Sequence, residues 1–334
     1  MLNHGGKLKQ VACEYGIAED KWLDLSTGIS PFSYPVPAIP TSIWQQLPQD
    51  DDELIKAAAM VYQASNLLVS SGSQSIIQQL PIYRQKLGYP DSKVWLPKQG
   101  YKEHQKAWAE SGFNVCHYTD LPKANMLEKQ DVVVVINPNN PTGQVYSQPN
   151  LSRLQHQLNA LDGWLIIDEA FMDAIEHGQS MMSLSQLDNV FVLRSLGKFF
   201  GLAGARIGFV AAHELHLSAL KEQLGPWQVN GPAQYVAKQA LLDTEWQYQQ
   251  KQQLQVLSNK LEQLLTNTFP INSVSGTWLF KTLYVPNAPV LYKQLCKLGV
   301  YVRLTDEQDA LRFGIPTNKQ FSKLSLLLNQ LLDK

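Results

Sequence analysis

The sequence predicts an α/β protein, with a large domain built on a mainly parallel sheet covered by helices and a smaller α+β domain after it. Three observations lead to this reading. From about residue 50 onward, apolar runs of strand length alternate with segments of helical period, and such alternation specifies parallel strands joined by helical crossovers. One of those runs, VVVVI at 132–136, is apolar at every position, the pattern of a strand covered on both faces. A length of 334 residues with 44% hydrophobic content suffices for one large and one small domain. The expected division is an N-terminal arm over 1–47, a large domain over 48–235 and a small C-terminal domain over 236–334.

Taken in order, the arm reads as loop-rich, because LDLSTGISPFSYPVPAIP at 23–40 carries prolines too closely spaced for a helix. Its order must come from docking on other parts. Asp50 to Gln63 has acidic residues at its start and apolar residues at helical spacing, so it predicts a helix. Strands follow at 67–69, 94–96, 115–118, 132–136 and 165–167, with helices from Gln74, after Tyr101 and after Ser147. VFVLR at 190–194 and ARIGFV at 205–210 read as two more strands. Gln234 to Thr268 is helical and lacks strand signals. The small domain then offers TWLFKTLYV at 277–285 as a strand, a helix over Ala288 to Leu298, strands in VYVRL and LRFGI, and a last helix after Thr317.

One lysine stands out. Lys198 lies in SLGKFFGLAGARIG, 195–208, a glycine-broken loop between two strands, among small residues and aromatics that exclude water. Lysines are ordinarily solvated. Desolvation disfavours the ammonium form, so a lysine here becomes a nucleophile towards an aldehyde. Three other segments aim polar groups at the carboxyl ends of strands, where open α/β sheets bind ligands. They are the small-residue loop after LLVS, the NPNNPTG turn after VVVVI, and Asp168 at the end of WLIID. The backbone N–H groups of Ser71, Gly72, Ser73 and Gln74 open a helix and suit a phosphate dianion.

Other chemistries are excluded on composition and spacing. A net charge of −1 with interspersed signs gives no field for nucleic acid. Cys13, Cys116 and Cys296 are far apart and lack metal-ligand spacing, which fits free thiols in a reducing cytoplasm. HELH at 213–216 is not the HExxH of a zinc protease, so no metal is implied, and both histidines are expected on a solvated helix face. GLAGARIG lacks dinucleotide-loop spacing. The absence of a signal-like or membrane-length apolar run predicts a cytoplasmic protein.

Strand, asparagine turn, acidic strand and lysine loop, in this order, resemble the fold-type I enzymes that use pyridoxal 5′-phosphate, the aspartate aminotransferase superfamily. The resemblance covers nearly the whole chain and implies the roles of individual residues. Lys198 would carry the cofactor, with Ser195 and Arg206 joining Ser71, Gly72 and Ser73 on its phosphate. Asp168 would keep the pyridine nitrogen protonated, supported by His104, while Tyr101 stacks on the ring and Asn140 bonds its 3′-oxygen. Arg312 matches the arginine that holds the substrate α-carboxylate, and Arg303 sits where relatives handling phosphorylated amino acids place another.

HGGK at 4–7, SGSQSIIQQLP, GYKEHQKAW, DEAFMD and LGPW further resemble the threonine-phosphate decarboxylase family of cobalamin biosynthesis, a relative of histidinol-phosphate aminotransferase. The implied substrate is therefore a small phosphorylated amino acid. The implied reaction is decarboxylation of L-threonine O-3-phosphate to (R)-1-amino-2-propanol O-phosphate. His4 and Arg303 would hold the substrate phosphate, and Gly28 would let the arm's backbone approach closely. The resemblance also implies a homodimer. A histidinol-phosphate type of aminotransferase is the alternative reaction. A silent binding module that keeps the fold is the alternative class, against which intact Lys198, Asp168, Asn140 and Arg206 argue. Two departures from the wider pattern are Phe171, where many members have a tyrosine on the 3′-oxygen, and Leu47, where many have a tyrosine reaching the neighbouring subunit.

Overall fold

In the computed structural model, which describes residues 4–175, 179–270 and 273–332, the chain divides into two units. The larger is formed by 34–140 and 144–246, the smaller by 1–33, 141–143 and 247–334. The chain begins with α1 (Leu8–Tyr15), β1 (Leu23–Asp24), α2 (Thr41–Gln45), α3 (Asp52–Tyr62), β2 (Leu67–Ser70), α4 (Ser73–Lys86) and β3 (Lys93–Pro97). It goes on through α5 (Lys102–Glu110), β4 (Asn114–Tyr118), β5 (Val132–Ile136), α6 (Gln148–Asn159), β6 (Trp164–Asp168), β7 (Val190–Ser195) and β8 (Gly208–Ala211). The remainder is α7 (Glu214–Leu224), α8 (Gly231–Leu242), α9 (Thr244–Thr268), β9 (Val274–Thr277), β10 (Phe280–Tyr284), α10 (Ala288–Lys297), β11 (Val300–Tyr301), β12 (Arg303–Leu304), β13 (Ala310–Gly314) and α11 (Asn318–Leu332).

The larger unit holds a seven-stranded sheet in the order β2-β8-β7-β6-β5-β3-β4. Strands β4, β3, β5, β6 and β7 run parallel, as the sequence predicts, and β8 is antiparallel to both its neighbours. The reversal follows from the connection. β7 and β8 are joined by the lysine loop without a helical crossover, and a parallel pair needs such a crossover. Every residue of β5 and β6 is buried, which is why their sequences are apolar without alternation. Helices α4, α5 and α7 pack on the sheet through Ile76, Ile77, Leu80, Trp108, Leu217 and Leu220, against Val132, Val134, Ile166 and Phe191. Each aliphatic side chain buried there contributes roughly 1.5–3 kcal/mol relative to exposure. Asp51 caps α3 by accepting the N–H groups of Glu53 and Leu54.

The smaller unit carries an antiparallel sheet, β12-β13-β10-β9, and a parallel pair, β1-β11. Leu257, Leu261 and Leu265 of α9 and Leu324 and Leu328 of α11 pack with Leu283, Leu311 and Phe313 of the sheet.

Several expectations need correction. The loop-rich arm also carries α1, β1 and α2. Leu8, Val11, Ala12 and Tyr15 have helical spacing, and Gly16 closes the helix at φ 65°. TWLFKTLYV is not one strand. Thr277 pairs with Phe280 across a turn, where the Thr277 hydroxyl accepts the Leu279 N–H, and no Gly or Pro marks the site. VYVRL divides between two sheets as β11 and β12. The chain passes between the two units at 33/34 and 246/247, and briefly at 141–143. Tyr34 donates its N–H to the Phe200 carbonyl at 2.9 Å, and Trp246 stacks on Phe200 with ring centroids 5.7 Å apart. The HELH pair is not a solvated face either. His213 caps α7, while His216 is half-buried, with Nδ1 2.8 Å from the Tyr83 hydroxyl and Nε2 2.7 Å from the Asp188 carbonyl oxygen. Burial pushes the His216 imidazole below its ordinary pKa.

Candidate active site

The larger unit gathers its predicted residues at the carboxyl ends of β5, β6 and β7. Ile136, Asp168 and Leu193 lie in one register row across these strands, so Asp168 stands at the sheet's edge with the Asn137 N–H donated to its carbonyl. Its side chain is 4% exposed. One carboxylate oxygen accepts the Ala170 N–H at 3.0 Å, and the other lies 3.0 Å from His104 Nε2. His104 is 1% exposed in the first turn of α5, behind Tyr101, the residue preceding that helix, and the two rings meet edge to face at 6.3 Å. Both expected partners of Asp168 and the ring are thus delivered by a single helix start.

The next residue faces the opposite way. Glu169 is fully buried, accepts from the Ser180 hydroxyl at 2.6 Å and the Met181 N–H at 2.7 Å, and pairs with Arg194 at 3.1 Å. Arg194 donates to Asp173 at 2.7 Å and lies over the Tyr62 ring. Desolvation pushes the Glu169 carboxyl above its ordinary range, against the pull of Arg194. Sequence reasoning missed this network. Its signal was present as two charged residues inside otherwise apolar strand ends, DEAF and LRS.

Asn140 is half-buried at the end of a turn held on several sides. Asn137 exchanges two hydrogen bonds with the Tyr146 backbone, at 2.8 and 3.1 Å. Asn139 donates its N–H to the Gln144 carbonyl and its side-chain amide to that of Gln99. Lys198 lies on the β7–β8 loop with Nζ 5.6 Å from the centroid of the Phe171 ring, three residues beyond Asp168. Phe171 is buried beneath the lysine, and Leu47 is 64% exposed.

The loop before α4 and the arginine after the lysine come together. Gly72 takes φ 80° and ψ 167° at a helix start that no side chain caps. A Cβ there would lie 2.9 Å from the Arg206 guanidinium, which therefore lies across the Gly72 backbone. Ser70, Gly208 and Ser195 share one register row, and a Cβ on Gly208 would lie 3.1 Å from both Gly72 Cα and Ser73 N. Ser195 Oγ accepts the Gly197 N–H at 3.3 Å. The Gly72–Ser73 backbone, the Arg206 guanidinium and Gly208 with its row partner Ser195 thus lie together.

The residues expected at the substrate lie in the smaller unit. Arg312 on β13 is buried, donates to the Ser26 carbonyl at 2.9 Å and lies over the Phe280 ring. Arg303 is its direct cross-strand partner, and it pairs with Asp306 at 2.8 Å. The arm reaches the same place. The Gly6 N–H donates to Ser26 Oγ at 2.8 Å, and a Cβ on Gly5 would lie 2.2 Å from the Ser26 carbonyl oxygen that Arg312 binds, so the backbone directly after His4 lies against Ser26. Gly28 is buried beyond Thr27, whose carbonyl packs on Gly314. Among the described residues, no helix is long and apolar enough to cross a membrane, and no group of three or more His, Cys, Asp or Glu is placed to hold a metal ion.

Comparison with known proteins agrees with this geometry. The family described as aminotransferase class I and II matches residues 42–322. A threonine-phosphate decarboxylase of Pseudomonas aeruginosa is 41% identical over 96% of this chain and 94% of its own. A second, from a Sinorhizobium species, is 35% identical over 91% and 90%. Among solved structures, the histidinol-phosphate aminotransferase from Clostridium acetobutylicum matches with a TM-score of 0.76 over 92% of this chain and 98% of its own, at 19% identity, a likeness of fold.

Proposed function

Because the chain belongs to the aminotransferase class I and II family, we propose that it is a pyridoxal-phosphate-dependent threonine-phosphate decarboxylase, converting L-threonine O-3-phosphate to (R)-1-amino-2-propanol O-phosphate. The observation that carries the reaction is the 41% identity over 96% of the chain to a protein of that activity. The residues present fit the cofactor. A side chain at Gly72 would fill the space under Arg206, so glycine there keeps backbone amides open to a phosphate, and the uncapped start of α4 adds its dipole. Asp168 is a buried carboxylate whose orientation His104 and the Ala170 N–H fix. Such a group suits a protonated ring nitrogen.

When bound, pyridoxal phosphate supplies an electron sink for the pair left at the substrate's Cα. The chain's own residues do the rest. Lys198 holds the cofactor through Nζ, and Phe171 beneath it excludes water from the amine. Arg303 and Arg312, opposite one another on β12 and β13, take the substrate's two anions, the phosphate with His4 and the carboxylate respectively. The Gly5–Gly6 contacts with Ser26 hold the arm for that task, and the reading keeps Gly28 as the point where the arm's backbone would approach the substrate. The Cα–carboxylate bond breaks, CO₂ leaves, and Lys198 Nζ returns a proton to Cα. The same reading includes Asn140 on the ring's 3′-oxygen, a homodimer, a cytoplasmic location and a place in cobalamin biosynthesis.

The test is to give the purified holoenzyme O-phospho-threonine with no keto acid present. Release of CO₂ with aminopropanol phosphate is expected. Turnover of histidinol phosphate that depends on 2-oxoglutarate, without CO₂ from phospho-threonine, would replace this reading by transamination.

A further inference from the structure

We propose that Gln74 is a positioning residue that locks the Tyr101 ring to the start of α4, so that the phosphate cradle and the aromatic face are set as one piece. The inference rests on the reading that places pyridoxal phosphate between them. Gln74 is the second residue of α4, directly after the Gly72–Ser73 cradle. Its Oε1 accepts the Tyr101 hydroxyl at 3.1 Å, and its Nε2 donates to Glu103 Oε2 at 2.9 Å. An ionised carboxylate only accepts hydrogen bonds, so Glu103 fixes the amide with its nitrogen towards α5 and its oxygen towards the tyrosine. The Tyr101 hydroxyl is therefore the donor, and its direction is determined.

The ring is then held at both ends. At the backbone end, the loop before Tyr101 is tied by Asn139 Nδ2 to the Gln99 carbonyl and by the Lys98 N–H to the Tyr118 carbonyl. At the far end, Gln74 holds the hydroxyl. A phenylalanine could stack equally well, yet it would lack the hydroxyl that ties the ring to α4 through Gln74. Preorganisation of this kind raises affinity by removing ordering costs that binding would otherwise meet. The neutrality of Gln74 matters too, because its amide stands between the Glu103 carboxylate and a helix start that must receive an anion.

The experiment titrates pyridoxal phosphate into the full-length apo-protein and into Gln74→Leu, Tyr101→Phe, the double variant and Gln74→Glu, reading tryptophan-fluorescence quenching and the visible circular dichroism of the bound cofactor. Each single substitution should weaken binding by about fivefold, the scale of one ordinary hydrogen bond, and the double variant should be no weaker than the worse single one. Visible dichroism should change alike in both singles, because it reads ring orientation. Gln74→Glu should bind worst near neutral pH and recover as its carboxylate protonates. Full additivity, or unchanged binding and dichroism in Gln74→Leu, would overturn the proposal. If Gln74→Leu fails to fold, the pH recovery of Gln74→Glu and the dichroism of Tyr101→Phe decide. Wild-type protein that binds no pyridoxal phosphate would refute the cofactor reading itself, a result distinct from any of these.

Discussion

At the scale of single residues, the strand end at 168–169 separates two carboxylates by direction alone. Successive strand residues face opposite sides. Asp168 consequently faces His104 and Glu169 faces Arg194, Ser180 and Met181. The first is oriented for a ligand and the second is consumed by structure. Replacing Asp168 by Ala should leave Lys198 able to hold the cofactor, which borohydride trapping followed by peptide mapping would read. It should lower kcat by about 100- to 1000-fold, the scale of losing one preorganised electrostatic partner. Near-normal turnover would show that Asp168 does not face the ring. The place of Asp168 at the end of a buried strand was legible in the sequence, because WLII is apolar at every position before it. The partnership of Glu169 with Arg194 was not, since 25 residues separate them and only the pairing of β6 with β7 makes them neighbours.

At the scale of elements, sites are made where strands stop. β5 and β6 end in one row beside Leu193 of β7, α4 begins without a side-chain cap, and α5 starts directly after Tyr101 with His104 on its first turn. In the smaller unit, one cross-strand row carries Arg303, Arg312, Thr282 and Ser275, and the last two donate their hydroxyls to the carbonyls of Pro141 and Thr142, both at 2.6 Å. That grip leaves no room at Gly143. Its φ is 75°, and a Cβ there would lie 2.5 Å from Gly276 Cα. Gly143→Ala should destabilise the protein by about 1–3 kcal/mol through backbone strain, with further loss from the clash. Gly204→Ala, where a Cβ meets nothing within 4 Å, should change stability little. Urea midpoints that do not distinguish the two variants would contradict the close approach. The NPTG turn is plain in sequence, whereas what presses on its glycine is not, because Gly276 is 133 residues away.

At the scale of the whole molecule, burial sets a limit on alkaline stability. The phenols of Tyr62 and Tyr118 are fully buried, and desolvation holds both well above their ordinary value of 10.0. Above pH 10 the unfolded chain releases these protons and the folded chain keeps them, so the unfolded state binds fewer protons and stability falls as pH rises. The Tyr62 hydroxyl has no hydrogen-bond partner among the described residues, so Tyr62→Phe should leave the thermal midpoint at neutral pH unchanged or higher and make the alkaline fall shallower. A marked loss at neutral pH would show that the hydroxyl is bonded. Local order along the chain was set by the sequence itself. Apolar runs of strand length, alternating with segments of helical period, made the parallel sheet readable without coordinates. The tertiary structure alone decided which distant residues share a row: Asp168 with Leu193, Ser195 with Gly208 and Ser70, Arg303 with Arg312. It also decided that Tyr101 and Glu103 both hydrogen-bond Gln74, and that the N-terminal Gly5 and Gly6 pack on Ser26. The reason is physical. Periodicity reports how a segment buries its own side chains, but strand order, register and crossover direction emerge only when separate segments pack, and those three quantities determine which polar groups meet.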